Sequence, residues 1–329
     1  MTSPAASLVS QFLDLAPVRR LDEWMHATPR PPMAVEIEPT HVAAARWKGA
    51  RGHLESFAVE EIAPGAINPS PLEANITNAD ALRGALRRVF AHVPFRSSGL
   101  ALLIPDPAVR VFILPFETFP RRADEALPLL RWRLKKSVPF DVEETVMSWT
   151  RQASRTGGLE IVAAVARQKI VREYEELIES LGAHPGVVLG STLSVLPLLE
   201  ERGATLYVRM AGQSLTTVIV QDGRLCVFRS SEMAAPSGAL PPQAVFDEIF
   251  PALAFFQDTS GGSVDRVRVS GFGAREEVFR RALSEELKAP VDSISHAESA
   301  AASGSGEKDM LARGLEPLAG WMHLGGPKK

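Results

Sequence analysis

Gly271 and Gly273 flank Phe272 directly after the strand-like run RVRVS, and backbone N–H groups in such a turn could approach a phosphate closely. The stretch is too short for a GxGxxG dinucleotide turn, and the sequence holds no Walker A motif, paired-cysteine motif or serine elbow. Seven histidines are scattered without metal-ligand spacing, and His41, His53, His92 and His184 read as surface or loop residues. The single cysteine, Cys226, cannot form an internal disulfide and suits a reducing compartment. A second stretch with chemistry in it is RWRLKKSVPFDVEET, residues 131–145, where a basic helical segment runs into Pro139-Phe140-Asp141. Proline ends the helix and fixes the chain direction, so Phe140 is presented at a defined angle, as a core plug or as a groove wall. The cations Arg121, Arg122, Arg131, Arg133, Lys135 and Lys136 could steer an acidic tail or sit near anionic lipid. Equally, they read as a solvated face balanced by Asp124, Glu125, Asp141, Glu143 and Glu144.

The elements that must position these residues follow from composition and periodicity. At 329 residues, 45% hydrophobic and 23% charged, the chain has enough apolar material for two domains or one large α/β body. A net charge of -3 gives no general attraction to nucleic acid. No apolar run reaches the roughly 18 residues of a membrane span, and the first residues lack a basic segment before their apolar stretch, so neither a span nor a secretory signal is expected. Leu8, Phe12, Leu15, Leu21, Trp24 and Met25 would form one amphipathic face broken at Pro17, and Pro29–Pro32 would act as a stiff spacer.

From Met33, three short β-type runs read as an antiparallel meander, followed by a helix over 80–93 and a buried strand in GLALLIP. The second half repeats that order: TLYVRM, SLTTVIVQDG and RLCVFRSS form a meander with Asp222-Gly223 as a hairpin turn, and helices over 242–257 and 274–288 flank the strand RVRVSG. DMLARGLEPLAGWM closes the chain as a last helix, while 234–242 and 299–308 read as loops or disorder. Between the halves, a strand at 109–114, a helix at 123–136, strands at 145–152 and 159–166 and a helix at 169–181 would build a small α+β unit. Two meander-then-αβα halves point to an internal duplication of the actin-like (ribonuclease H-like) kind. The expected organisation is an extension at 1–32, a first half at 33–202 with an insert at about 99–182, a reduced second half at 203–306, and a C-terminal helix and tail at 307–329 that pack back on the first half.

The run VRVFILPFETFPRRADEALPLLRWRLKKSVPFDVEETVMSW resembles the PilM family of type IV pilus assembly. A strand ending in Leu114-Pro115, a helix from Ala123, then Pro139-Phe140-Asp141 and the acids Glu143-Glu144 come in that family's order. Weaker similarity extends from about Met33 to Met322. The family resembles the cell-division protein FtsA in carrying such an insert, binds ATP between its halves, and grips the cytoplasmic tail of the bitopic membrane protein PilN in a groove near the insert. The resemblance therefore implies a cytoplasmic scaffold, peripheral to the inner membrane, that binds a PilN-like tail and other pilus platform or motor proteins, with no nucleic acid. Arg131, Lys135, Pro139, Phe140 and Asp141 are the expected partner-binding residues.

Against the family's phosphate turns this sequence departs at several positions. Asp-Ile-Gly-Ser-Ser aligns with Glu36-Ile37-Glu38-Pro39-Thr40, so a carboxylate replaces the glycine beside the phosphates, costing roughly 3 kcal/mol per unit charge at ~5 Å and an effective dielectric of ~20. Pro39 has no N–H to donate. Asp-Ile-Gly-Ala aligns with Arg209-Met210-Ala211-Gly212, and an arginine cannot organise a cation. The adenosine turn Ser-Gly-Gly-Gly becomes Ser270-Gly271-Phe272-Gly273, where Phe272 adds a ring at a place of close approach. The helical roof that usually follows the second meander has shrunk to an Ala/Pro/Ser/Gly stretch. Glu36, Thr40, Arg209, Gly271 and Gly273 thus mark a degenerate nucleotide site, with no catalytic residue, no metal, and ATP with Mg²⁺ disfavoured as a cofactor. Two other readings stay open: an active actin-like ATPase with altered loops, and a GspL-like cytoplasmic component of type II secretion.

Overall fold

The computed structural model describes residues 31–48, 53–94, 99–154, 157–199, 202–296 and 305–323. The amphipathic segment expected before Pro29 lies outside them.

The first half opens with β1 (Met33–Ile37), β2 (His41–Lys48) and β3 (His53–Glu61), then α1 (Ala79–His92) and β4 (Leu100–Ile104). Asn78 caps α1 by accepting the Ala81 N–H, and Leu82, Leu86 and Val89 face the core at helical spacing. Next come β5 (Arg110–Phe116), α2 (Ala123–Leu134), β6 (Thr145–Ala153), β7 (Leu159–Arg167), α3 (Gln168–Glu179), β8 (Pro185–Gly190) and the short α4 (Ser191–Val195). The second half contains β9 (Ala204–Ala211), β10 (Ser214–Gln221), β11 (Arg224–Glu232), α5 (Pro242–Ser260), β12 (Arg266–Ser270), α6 (Glu276–Leu287) and β13 (Val291–Ser293). Helices α7 (Ser305–Ala312) and α8 (Glu316–His323) follow.

The two large sheets have the same order, β3-β2-β1-β4-β8 and β11-β10-β9-β12-β13. In each, the first three strands are antiparallel and the last two lie parallel to the first. The duplication expected from the meanders is present strand for strand. A third sheet, β5-β7-β6, carries α2 on one face through Ala126, Leu130, Ile161 and Ala163.

Strand alternation decides what each face holds. Met33, Val35 and Ile37 of β1 enter the first core, and Ala204, Leu206, Val208 and Met210 of β9 enter the second. The out-of-phase residues, Ala34 on β1 and Tyr207 on β9, enter a third core between the halves. Leu315, Leu318, Ala319 and Trp321 of α8 close that core. Helix α8 lies so close to α4 that a Cβ on Gly320 would collide with the Ser194 carbonyl.

Three expectations need correction. The inserted unit is narrower than 99–182: β4 belongs to the first sheet, and α3 packs into the first core through Ile170, Tyr174 and Ile178. One closing helix becomes two, broken at Arg313-Gly314. Residues 305–308, read as loop, begin α7, because tertiary packing overrides their weak propensity: Glu307 is buried and pairs with His323 at 2.7 Å, and Met310 is fully buried.

Candidate functional site

Glu36 stands in phase with Ala34 on β1, and Arg209 in phase with Tyr207 on β9, so alternation turns both side chains toward the space between the halves. They meet there. Arg209 is 3% exposed and spends its fork on four carboxylates: Nη2 on Glu36 at 3.0 Å, Nη1 on Glu38 at 2.9 Å, Nε on Glu316 at 3.1 Å, and Nη1 again near Asp106 at 3.8 Å. All four acids are buried. Asp106, just past β4, also accepts from the Thr192 N–H at 2.9 Å, the Thr192 hydroxyl, and the Thr216 hydroxyl at 2.8 Å. Glu316, at the start of α8, accepts from Ser270 at 2.6 Å and Tyr207 at 3.2 Å. One guanidinium therefore links β1, the turn after β4, β9 and the C-terminal helix.

The charge balance leaves its mark on protonation. Burial raises the Glu38 carboxyl above its usual range, Arg209 opposes this, and Glu36 and Asp106 add to it as like charges. Burial pushes His41 down, but a hydrogen bond to Glu36 and the charges of Glu36 and Glu38 outweigh it, and the imidazole ends above its ordinary value. Arg209 is held well up by the acids around it despite burial. Removing water from such ions is costly, and mutual pairing is what makes the arrangement tolerable.

The turns themselves are shut. The Glu38 N–H is spent on the His41 carbonyl at 2.9 Å within the first hairpin, and Pro39 has none. A Cβ on Gly212, in the β9–β10 turn, would stand 3.0 Å from Pro39 Cβ, so the two hairpin tips touch. Gly271 lies hard against β9: a Cβ there would collide with the Met210 carbonyl, and its φ of +79° would strain any other residue. Phe272 does not project into the cleft, as its position in the adenosine turn suggested. Its ring is buried in the second core, 4.4 Å from Phe279. Thr40 is exposed and pairs with His41 at 3.0 Å, and Gly273 is exposed in open space. Above this turn, Arg275 ties down the shortened 233–241 loop through the carbonyls of Ser237, Gly238 and Leu240.

A second feature lies where the third sheet meets the first half. A cavity of about 250 Å³ is lined by Val146, Met147, Ser148, Ala164, Val165 and Ala166 on one side and by Ile104, Val188, Leu189 and Gly190 on the other, with Val171 and Glu175 of α3 below. Among the described residues β6 pairs only with β7 and β8 only with β4, so each presents a free edge beside this cavity.

No protein-family model matches the sequence, and no curated protein matches it. Solved structures do. The PilM-PilN type IV pilus biogenesis complex contains a chain that superposes with a TM-score of 0.71 at 17% identity, covering 92% of this chain and 100% of that one. A Bacteroides thetaiotaomicron protein with an actin-like ATPase fold and unknown function superposes with a TM-score of 0.50 at 11% identity, covering 86% and 94%. The fold is actin-like.

In an actin-like frame the Arg209 cluster sits at the C-terminal ends of the parallel strands, where ligands of open α/β sheets bind. Its residues do not fit a magnesium-bound triphosphate, because Arg209 puts a fixed positive charge on one oxygen each of Glu36, Glu38 and Glu316, where a hydrated cation would sit, and Pro39 and Gly212 bring the two turns into contact; the second oxygens of those three glutamates stay buried without a hydrogen-bond partner. Of the site residues expected from sequence, Glu36 and Arg209 come together directly and Gly271 closes on β9, whereas Thr40 and Gly273 stand apart. Glu38, Asp106 and Glu316 complete the cluster. Asp106 and Glu316 carried no local signal in sequence, since only folding brings them within reach.

The expected partner-binding residues line neither side of the cavity. Arg131 is paired with Glu143 at 2.9 Å, Asp141 accepts the Glu143 N–H at 3.0 Å, and Lys135 and Pro139 are exposed. Phe140 packs with Leu134, Val138, Val142 and Met147, so it stands one layer behind the cavity wall that Met147 and Val165 form.

Proposed function

We propose that this chain is a PilM-like scaffold of a type IV pilus or related secretion platform that holds the cytoplasmic tail of a PilN-like membrane protein without turning over ATP. The observation that carries the reading is the apolar cavity between two free sheet edges at the junction of the inserted sheet and the first half. An extended segment adds to such an edge through main-chain hydrogen bonds, while alternate side chains enter the cavity and give specificity. Glu175 is the one charged group lining it and favours a basic or neutral residue in the segment. The likeness in fold to a chain of the PilM-PilN complex supports the choice of partner. In this reading Phe140 supports the wall through Met147, and the Arg131–Glu143 pair with the Pro139-Asp141 turn sets the position of α2 against the third sheet, while exposed Lys135 takes no part in that contact. The protein works in the cytoplasm and reaches the inner membrane through its partner. No helix among the described residues is long and apolar enough to cross a membrane.

The test is a calorimetric titration of the full chain with a synthetic peptide of the PilN-like tail encoded beside its gene. Saturable 1:1 binding is expected. A folded protein that releases no heat with that peptide overturns the reading.

A further inference from the structure

We propose that the outer face of α2 docks directly on an anionic lipid surface through Trp132 and the cations beside it. This goes beyond attachment through a partner and does not depend on peptide binding in the cavity.

Trp132 is 73% exposed, more than any other large hydrophobic side chain among the described residues. Its helix is held from the opposite side, where Ala126, Leu130 and Leu134 are buried against the third sheet, so the indole is presented on a rigid element. Pro128, one turn earlier on the same face, is also exposed and adds apolar surface. Around this pair the charges divide into two sets. Arg122 and Arg131 are engaged by Asp124 at 2.6 Å and Glu143 at 2.9 Å. Arg133, Lys135 and Lys136 are exposed and have no acidic partner among the described residues. Unpaired cations ringing an exposed tryptophan match the chemistry of the membrane interface, where an indole sits at headgroup depth and basic side chains meet anionic headgroups.

The shape of the patch favours lipid over a protein partner. A tryptophan that anchors a protein interface usually sits in a well-packed pocket among neighbours that exclude water, whereas Trp132 stands alone at 73% exposed with only Pro128 as apolar company on its helix face. Here the other neighbours are charged and the helix surface convex, which a fluid bilayer accommodates without shape complementarity. The net charge of -3 gives the whole chain no attraction to an anionic surface, so binding has to come from a local patch such as this one.

The experiment is co-sedimentation of the full chain with vesicles of phosphatidylglycerol and phosphatidylethanolamine, against vesicles of phosphatidylcholine alone, at low and high salt. Binding to the anionic vesicles is expected, and it should fall on the order of 25-fold in the Lys135→Gln/Lys136→Gln variant, at roughly fivefold per cation removed. Trp132→Ala should weaken it further and abolish part of the fluorescence quenching by brominated lipid. These side chains are exposed, so each variant should melt with the wild type, which separates loss of binding from loss of fold. No binding to anionic vesicles overturns the proposal, as does binding that both variants leave unchanged. Capture of polyglutamate through the same residues, with no affinity for vesicles, also overturns it and points to an acidic protein partner.

Discussion

Pro39 and Gly212 meet across the cleft, with 3.0 Å between the proline Cβ and the place where a Cβ on the glycine would be. The hairpins that would have to part around a phosphate instead touch, and Arg209 behind them supplies the positive charge that Glu36, Glu38, Asp106 and Glu316 require. Millimolar Mg-ATP should therefore leave the melting temperature unchanged. A ligand present at a hundred times its Kd would stabilise the chain by about 2.7 kcal/mol. A reproducible rise of several degrees would refute the closed cleft.

Removing Arg209 should be among the most damaging single changes in the protein. Arg209→Met leaves buried carboxylates without a counter-charge, at an expected cost of about 3–5 kcal/mol by denaturant titration. Glu38→Gln removes one of the excess negative charges and should cost far less. The two are in contact, so the Arg209→Met/Glu38→Gln double variant should be more stable than Arg209→Met alone. Simple additivity would show that the pair is not coupled.

Stability should also depend on pH through this cluster. Glu38 and His41 are both raised in the folded state, so the folded chain holds their protons more tightly than the unfolded chain does. Each contribution is complete below the group's ordinary value, about 4.3 for glutamate and about 6.5 for histidine, and is lost as pH rises through the folded value. Melting curves recorded from about pH 5 to pH 8 should decline less steeply in Glu38→Gln than in the wild type, and His41→Gln should flatten the upper part of the range. Identical slopes in all three proteins would contradict the assignment.

Close approach, rather than turn geometry alone, should set the cost of changing Gly271. Gly223 and Gly271 have φ values of +74° and +79°, but a Cβ on Gly223 meets open space and one on Gly271 meets the Met210 carbonyl. Gly223→Ala should cost about 1–2 kcal/mol for its left-handed backbone. Gly271→Ala should cost clearly more, because β9 must shift at the place where Arg209 is held. Equal costs by thermal denaturation would mean that this contact is slack.

Val146 lies at the mouth of the groove and is 40% exposed, so a charge there bears on binding more than on folding. Val146→Asp should change stability by less than about 0.5 kcal/mol and weaken the tail peptide roughly tenfold, about 1.4 kcal/mol. Wild-type affinity in that variant would place the peptide elsewhere.

The six meander strands were readable as β-type runs bounded by turn residues, and with them the two matching halves. A strand side chain has only two directions, so Glu36 stands in phase with Ala34 and Arg209 with Tyr207, on the face toward the core between the halves. Local pattern could not say what Arg209 would meet. Its partners lie at positions 36, 38, 106 and 316, and their convergence depends on sheet pairing, the turn after β4 and the packing of α8 through Gly320. Phe272 shows the same division: its place in a glycine-rich turn was plain, yet the direction of its ring followed from the room beside Phe279 in the second core. Sequence by itself determined the two meanders and the longer helices, since these rest on interactions between neighbours a few residues apart, whereas β8, α4, β13 and the break between α7 and α8 were not read from it. Only the tertiary structure decided that the cleft is shut and that a groove opens beside β6 and β8, because both arise from contacts between segments far apart along the chain.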